Sequence, residues 1–190
     1  MIRFFKSPQP AALIVIPFII IILWFRTGFH CQPVTDLSNL PVWQAIAGML
    51  SHLPSWLNFV ILAIIISVQA VYFNLMVNKH EVLYKNSYLP SLIFALIISS
   101  TPGLMQLHPV HFINLFVLII FDRIFSLFKN DHPNSALFDA AFLTGLAGLF
   151  YFPALLLFVV LIISMSIIRP FNFREWMIFF VGFLSPFFLI

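Results

Sequence analysis

Seven long apolar runs, separated only by short polar breaks, decide what this chain can fold into. They are Ala11–Phe25, Leu57–Val77, Leu89–Met105, His111–Phe128, Ala136–Phe152, Pro153–Ile168 and Trp176–Ile190, each 15 to 21 residues long. The hydrocarbon core of a bilayer is about 30 Å thick and takes roughly 20 apolar residues per helix. In lipid a single segment can satisfy its own backbone polar groups only as a helix. Composition closes off the alternative. The chain is 62% hydrophobic and only 8% charged, whereas a soluble domain carries about 25% charged residues. So few charges cannot clothe a water-facing surface. The expected fold class is all-α membrane: a polytopic bundle of six to seven transmembrane helices, with residues 1–190 forming one transmembrane domain.

The breaks between runs carry their own information. Thr101-Pro102-Gly103 interrupts the third run, and Tyr151-Phe152-Pro153 marks a tight turn between the fifth and sixth. The longest non-spanning segment runs from Arg26 to Pro54. Within it Val42, Trp43, Ile46, Met49, Leu50 and Leu53 fall on one face at helical spacing. Pro41 suits a first helical turn and Pro54 terminates it, so Pro41–Leu53 reads as a helix lying in the membrane interface. The last run would rise about 22 Å and has no basic flank after it, which suggests the N-terminal part of a longer chain. Ala11–Phe25 is followed by no small-residue cleavage site and reads as a retained first helix.

Charge placement sets the orientation. With the N-terminus in the cytoplasm, the inner segments hold Arg3, Lys6, Lys79, Lys85, Lys129, Arg169 and Arg174, and Arg123 lies close to the same side. Of the nine Lys and Arg residues, only Arg26 is then outside. The net charge of +3 is spread singly between apolar runs, unlike the clustered basic face of a nucleic-acid binder. The partner this pattern implies is the lipid bilayer, with no nucleic acid. Cys31 is the only cysteine, so no intrachain disulfide can form.

Charges inside the runs are the first candidates for chemistry, because each is costly there and is usually paired or functional. Asp122 and Arg123 precede the end of the fourth run, and Asp139 follows the start of the fifth, all about 6–10 Å deep. Matching depth on antiparallel neighbours predicts a structural Arg123–Asp139 pair; snorkelling to the interface and a proton or ion path are the alternatives. On the outer side lie Arg26, His30, Cys31, Asp36, His52, His108 and His111. The His108–His111 spacing is compatible with two metal ligands and Asp36 with a third, although histidines also belong at a wet interface and the metal stays unspecified. Gly145 and Gly148, with Ala140, Ala141 and Thr144, form a small-residue face suited to close helix packing or to a substrate groove. No Walker loop, GxSxG, HExxH or dinucleotide fingerprint occurs.

Three segments carry a resemblance: Tyr84-Lys85-Asn86-Ser87-Tyr88-Leu89-Pro90, the stretch from Phe138 through Asp139-Ala140-Ala141 and Gly145-Leu146-Ala147-Gly148 to Pro153, and Arg169-Pro170-Phe171-Asn172-Phe173-Arg174-Glu175-Trp176. Together they resemble an uncharacterised family of polytopic inner-membrane proteins of the Bacteroidota, whose members are longer. That resemblance implies a bacterial inner membrane. Family members have sometimes been labelled carotenoid monooxygenases, but that chemistry uses four histidines in a β-propeller, and this sequence carries neither the strands nor the site. The layout more loosely resembles the N-terminal half of type-C glycosyltransferases, which place an acidic catalytic residue in a long outer loop. Asp36 occupies the corresponding loop, alone where such enzymes commonly show paired acids. This second resemblance implies sugar transfer from a polyprenyl-phosphate lipid, with Asp36 as base or metal holder and Arg26, His108 and His111 near the phosphate. The competing expectation is a non-catalytic scaffold of a cell-envelope complex, and a transporter is third.

Overall fold

The computed structural model describes residues 11–28, 31–34, 41–84, 87–101, 104, 106–128, 134–168 and 170–188. These residues form α1 (Ala11–Gly28), α2 (Pro41–Ser51), α3 (Ser55–Lys79), α4 (Leu89–Ser99), α5 (Pro109–Phe128), α6 (Asn134–Phe150), a 3-10 turn (Phe152–Leu155), α7 (Leu156–Ile168) and α8 (Phe173–Phe188). Outside helices and turns, the described residues make one parallel backbone bridge, between Pro33 and Leu107. Two helices, Ser55–Lys79 and Pro109–Leu127, are long and apolar enough to cross a membrane. The other apolar runs form shorter helices.

Proline sets most of the boundaries. Pro54 stands at the N-cap of α3, Pro90 in the first turn of α4, and Pro109 opens α5, where a missing N–H is harmless. The run from Leu89 to Met105 is broken near Thr101-Pro102-Gly103 in the sequence, and α4 stops at Ser99, after about 16 Å of rise. The Ser100 N–H bonds the Leu96 and Ile97 carbonyls, and Thr101 N–H bonds Ile98. Thr101 precedes Pro102, whose ring crowds the helical conformation of the residue before it. The turn expected at Tyr151-Phe152-Pro153 is present, with Tyr151 extended ahead of the 3-10 segment.

The chain forms two compact units, Met1–His111 and Phe112–Ile190, divided inside α5. In the first, α3 packs against α1 and α4, which also meet each other. Ile16, Ile20 and Trp24 make the buried stripe of α1, and Leu62, Ile66 and Ala70 that of α3. Helix α2 buries Trp43 and Ala47, one turn apart, while Met49 is exposed because it lies about 200° around the helix from Ala47. The seam is therefore narrower than the apolar face read from the sequence. Asn58 Nδ2 donates to the Leu50 carbonyl at 3.1 Å, tying the end of α2 to the first turn of α3.

The second unit is organised by small residues. Ala140, Ala141, Thr144, Gly145, Ala147 and Gly148 are all buried on α6, which packs against α8, α7 and the 3-10 turn. A Cβ on Gly145 would lie 2.5 Å from the Phe183 carbonyl oxygen, and one on Gly182 would lie 2.9 Å from that of Phe138. The two glycines thus let the α6 and α8 backbones approach closely. Of the two roles open to this face, the structure uses packing. Phe158 of α7 stacks on Phe183 at 3.9 Å and on Phe179 at 5.2 Å, closing the core around Leu137, Leu161 and Met165. Pro186 inside α8 cannot donate to the Gly182 carbonyl; the Ser185 hydroxyl donates to it instead, at 2.8 Å.

Candidate functional site

The densest set of polar interactions in the first unit surrounds the segment between α4 and α5. His111, in the first turn of α5, is buried, and its Nε2 lies 2.9 Å from the Leu104 carbonyl and 3.2 Å from that of Gln106. Two acceptors at one ring nitrogen assign the Nε2–H tautomer, with the proton shared between them. The Gln69 side-chain amide donates to the His111 carbonyl. Gln69 is fully buried, about 21 Å along α3 from Ser55 and about 15 Å from Lys79. His111 therefore stands beside the middle of α3.

His108 uses its ring differently. Its Nδ1 accepts the Val110 N–H at 3.2 Å and so caps α5, satisfying one of the N–H groups a helix start leaves open. Burial lowers the pKa of His108 from its ordinary value, which favours the neutral ring that the cap requires. The segment after α1 approaches from the other side. Val34 N–H donates to the Leu107 carbonyl at 3.0 Å, Trp43 Nε1 donates to the Val34 carbonyl at 2.8 Å, and Gln32 Nε2 reaches Ser55 Oγ at 3.1 Å. Cys31 is buried among these residues. Burial pushes its thiol above the usual range, with a smaller opposing effect of a hydrogen bond from the Leu107 backbone. A thiol held protonated is a poor nucleophile.

Of the outer residues singled out from sequence, the structure brings His108 and His111 into one segment and spends a nitrogen of each on backbone. Asp36 and His30 lie outside the described residues. Arg26 belongs to the last turns of α1, and its side chain also lies outside them. Among the described residues no group of three or more His, Cys, Asp or Glu is arranged to hold a metal ion.

In the second unit Arg123 Nη2 and Asp139 Oδ2 are 3.6 Å apart, so the hairpin brings together the two charges that share a depth. Both side chains stay open, at 45% and 42% exposure. Asp122 is half-buried beside them, and its backbone carbonyl accepts the Ser126 hydroxyl at 2.8 Å.

Sequence reasoning passed over the amides of α3. Asn58, Gln69 and Asn74 are all fully buried, and among the described residues neither amide atom of Asn74 has a hydrogen-bond partner. The available signal was an amide inside an otherwise apolar 25-residue helix. Comparison with protein-family models, with curated proteins and with solved structures gives no match.

Proposed function

We propose that this chain is the membrane-embedded body of a polytopic bacterial inner-membrane protein. It crosses six to seven times from a cytoplasmic N-terminus and serves as a non-catalytic scaffold of a cell-envelope complex. The observation that carries the membrane reading is the inside-out character of α3. Trp56, Val60, Ile64, Val68 and Leu75 form an exposed stripe at helical spacing, while Asn58 and Gln69, three turns apart on another face, are buried. Water would drive the opposite arrangement; hydrocarbon favours this one. The hydroxyls agree. Ser67, Ser99, Ser164 and Ser166 each donate to the carbonyl four residues earlier, the available partner for a hydroxyl in lipid. Support for a scaffold over an enzyme comes from the outer cluster. His108, His111, Trp43 and Gln69 direct their polar groups into backbone bonds that hold segments together.

The test is extraction and topology. The chain should resist alkaline carbonate, alkaline phosphatase fused after Ser51 should be active, and the same enzyme fused after Asn86 should be inactive. The opposite fusion pattern would overturn the orientation.

The second reading, sugar transfer from a polyprenyl-phosphate donor with Asp36 as base, draws support from an apolar groove of about 350 Å³ between α1 and α3. Pro17, Ile21, Phe59, Val60, Ala63 and Ile64 are among its lining residues. Asp36→Asn distinguishes the two readings. It would abolish envelope-glycan transfer at unchanged protein abundance if Asp36 is the base, and a scaffold would be unaffected.

A further inference from the structure

The Arg123–Asp139 pair is half open, although it lies inside two apolar helices. Arg123 is five residues from the end of α5 and Asp139 five residues from the start of α6, about 7.5 Å in each case. That depth is the boundary between acyl chains and headgroups, within reach of a side chain that extends toward the polar layer. A guanidinium offers five N–H donors and a carboxylate about four acceptor positions. Among the described residues the pair makes one contact, at 3.6 Å, which is longer than a charge-assisted hydrogen bond and is not the bidentate fork that would use them. In water the remaining capacity would go to solvent. At a lipid boundary it needs a polar partner supplied by the membrane, because charge left unmatched there is costly.

Two opposite charges side by side, both open, complement a headgroup that also carries two opposite charges side by side. We propose that Arg123 and Asp139 form a binding site for a zwitterionic aminophospholipid of the phosphatidylethanolamine type. Its phosphate is held by the Arg123 guanidinium and its primary ammonium by the Asp139 carboxylate. A primary ammonium donates N–H bonds to a carboxylate, whereas the quaternary ammonium of phosphatidylcholine has no N–H to give. The site thus discriminates between two headgroups of equal net charge. An anionic lipid would satisfy Arg123 but set a second negative charge against Asp139, with the Asp122 carboxyl on the neighbouring residue.

This inference rests on the membrane reading, and the experiment separates the two. The full chain is reconstituted into nanodiscs of phosphatidylethanolamine, phosphatidylcholine and phosphatidylglycerol with matched acyl chains. It is then released into mild detergent, and the lipid that stays bound is counted by native mass spectrometry. The expected result is roughly tenfold enrichment of phosphatidylethanolamine over phosphatidylcholine, the scale of one added hydrogen bond to a charged group. Asp139→Asn and Arg123→Gln should each bring the ratio close to one, while Asp139→Glu, which keeps the charge and the fold of the hairpin, should preserve most of it. Equal retention of the two lipids by the wild-type chain would overturn the site, and so would an enrichment that survives both substitutions. Preferential retention of phosphatidylglycerol, lost in Arg123→Gln alone, would also overturn it in favour of a simple phosphate contact. Release of the chain by alkaline carbonate would instead defeat the membrane reading, before any lipid is counted.

Discussion

Adding one methyl group at Gly145 should cost more than adding one at Gly148, although the second methyl meets its neighbour at shorter range. What differs is the neighbour. At Gly145 the new Cβ would lie 2.5 Å from the Phe183 carbonyl oxygen and 3.0 Å from Pro186 Cγ. The first is backbone of α8 and the second a ring fused to it, so neither can turn aside. Restoring an ordinary contact of 3.4 Å moves α8 back by about 0.9 Å. That retreat also loosens the same seam at Gly182, where the backbones approach so closely that a Cβ would meet Phe138 and Ala141. A gap of 0.5–1 Å already forfeits about a quarter to a half of each dispersion contact along the interface. At Gly148 the atoms met are Cδ2 and Cγ of Leu155, the far end of a half-exposed side chain that can change rotamer.

Both substitutions gain about 0.5–1 kcal/mol from replacing a helical glycine with alanine. Overpacking against a wall that cannot yield costs about 1–3 kcal/mol and occasionally more, while an off-rotamer leucine costs about 0.5–1.5 kcal/mol. Gly145→Ala should therefore destabilise by about 1–2 kcal/mol net, and Gly148→Ala should stay within about 0.5 kcal/mol of wild type. Helix content followed by circular dichroism, as SDS replaces a mild detergent, measures both. Gly148→Ala proving as damaging as Gly145→Ala would refute the distinction between backbone and side-chain walls.

Two further outcomes concern helix starts. Asn172→Ala removes the side-chain acceptor of the Arg174 N–H, a 3.2 Å bond at the first turn of α8, and should lower stability by about 0.5–2 kcal/mol in the same titration. The His108 cap should make stability depend on pH. Burial lowers the folded-state pKa of His108 below the roughly 6.5 of the unfolded chain, so its contribution is complete above that value and is lost as pH falls through the folded pKa. Unfolding midpoints between pH 8 and pH 5 should decline on the acid side. The decline should be smaller in His108→Asn, whose amide oxygen can cap α5 without titrating; an identical pH profile in the two proteins would count against the cap.

Much of the helical layout could be read from prolines and apolar run lengths, because those act locally. Pro54, Pro109 and the Tyr151-Phe152-Pro153 turn mark boundaries without help from tertiary contacts. The packing of Gly145 and Gly148 was readable for a related reason: several small residues gathered on one helix have few uses in lipid other than close approach. The end of α4 at Ser99 lies just before the Thr101-Pro102-Gly103 break, which is legible because proline and glycine act on the local backbone. Met49 belongs to the apolar face of α2 read from the sequence and is exposed, whereas burial within the protein follows the Trp43–Ala47 turn. Asn172 and Glu175 carried an N-x-x-E helix-start signature that sequence inspection could have used. The Asn172 carbonyl accepts the Trp176 N–H at 3.1 Å as the helix begins. The Arg123–Asp139 proximity followed from counting residues to each helix end. The half-open geometry did not, since it depends on how the two helices rotate about their own axes.

The segment between α4 and α5 carries a consequence that hydropathy alone would not suggest. Gln69 reaches the His111 carbonyl from the middle of α3, so on the proposed membrane reading irregular backbone would stand at the depth where lipid tolerates it only when protein or a water-filled cavity surrounds it. The carbonyls of Leu104 and Gln106 lie outside regular helix, and His111 Nε2 serves both. His111→Phe keeps a ring of similar shape and removes that donor. The cost should be about 0.5–1.5 kcal/mol, the net worth of a hydrogen bond whose acceptors are only partly buried. A structural readout accompanies the stability one. Gln106 and Ser51 are both exposed on the protein surface, so on the membrane reading lipid alone should make a cysteine placed at Gln106, in a Cys31→Ser background, react with a membrane-impermeant maleimide far more slowly than one at Ser51, at the end of α2. Adding His111→Phe should accelerate the Gln106 reaction, because the loop loses the bonds that hold it against the first turn of α5. His111→Gln, which restores an N–H donor, should recover part of the protection. Labelling at Gln106 as fast as at Ser51 in the chain with intact His111 would show that the loop stands at the membrane surface, and the mid-depth placement would then fail.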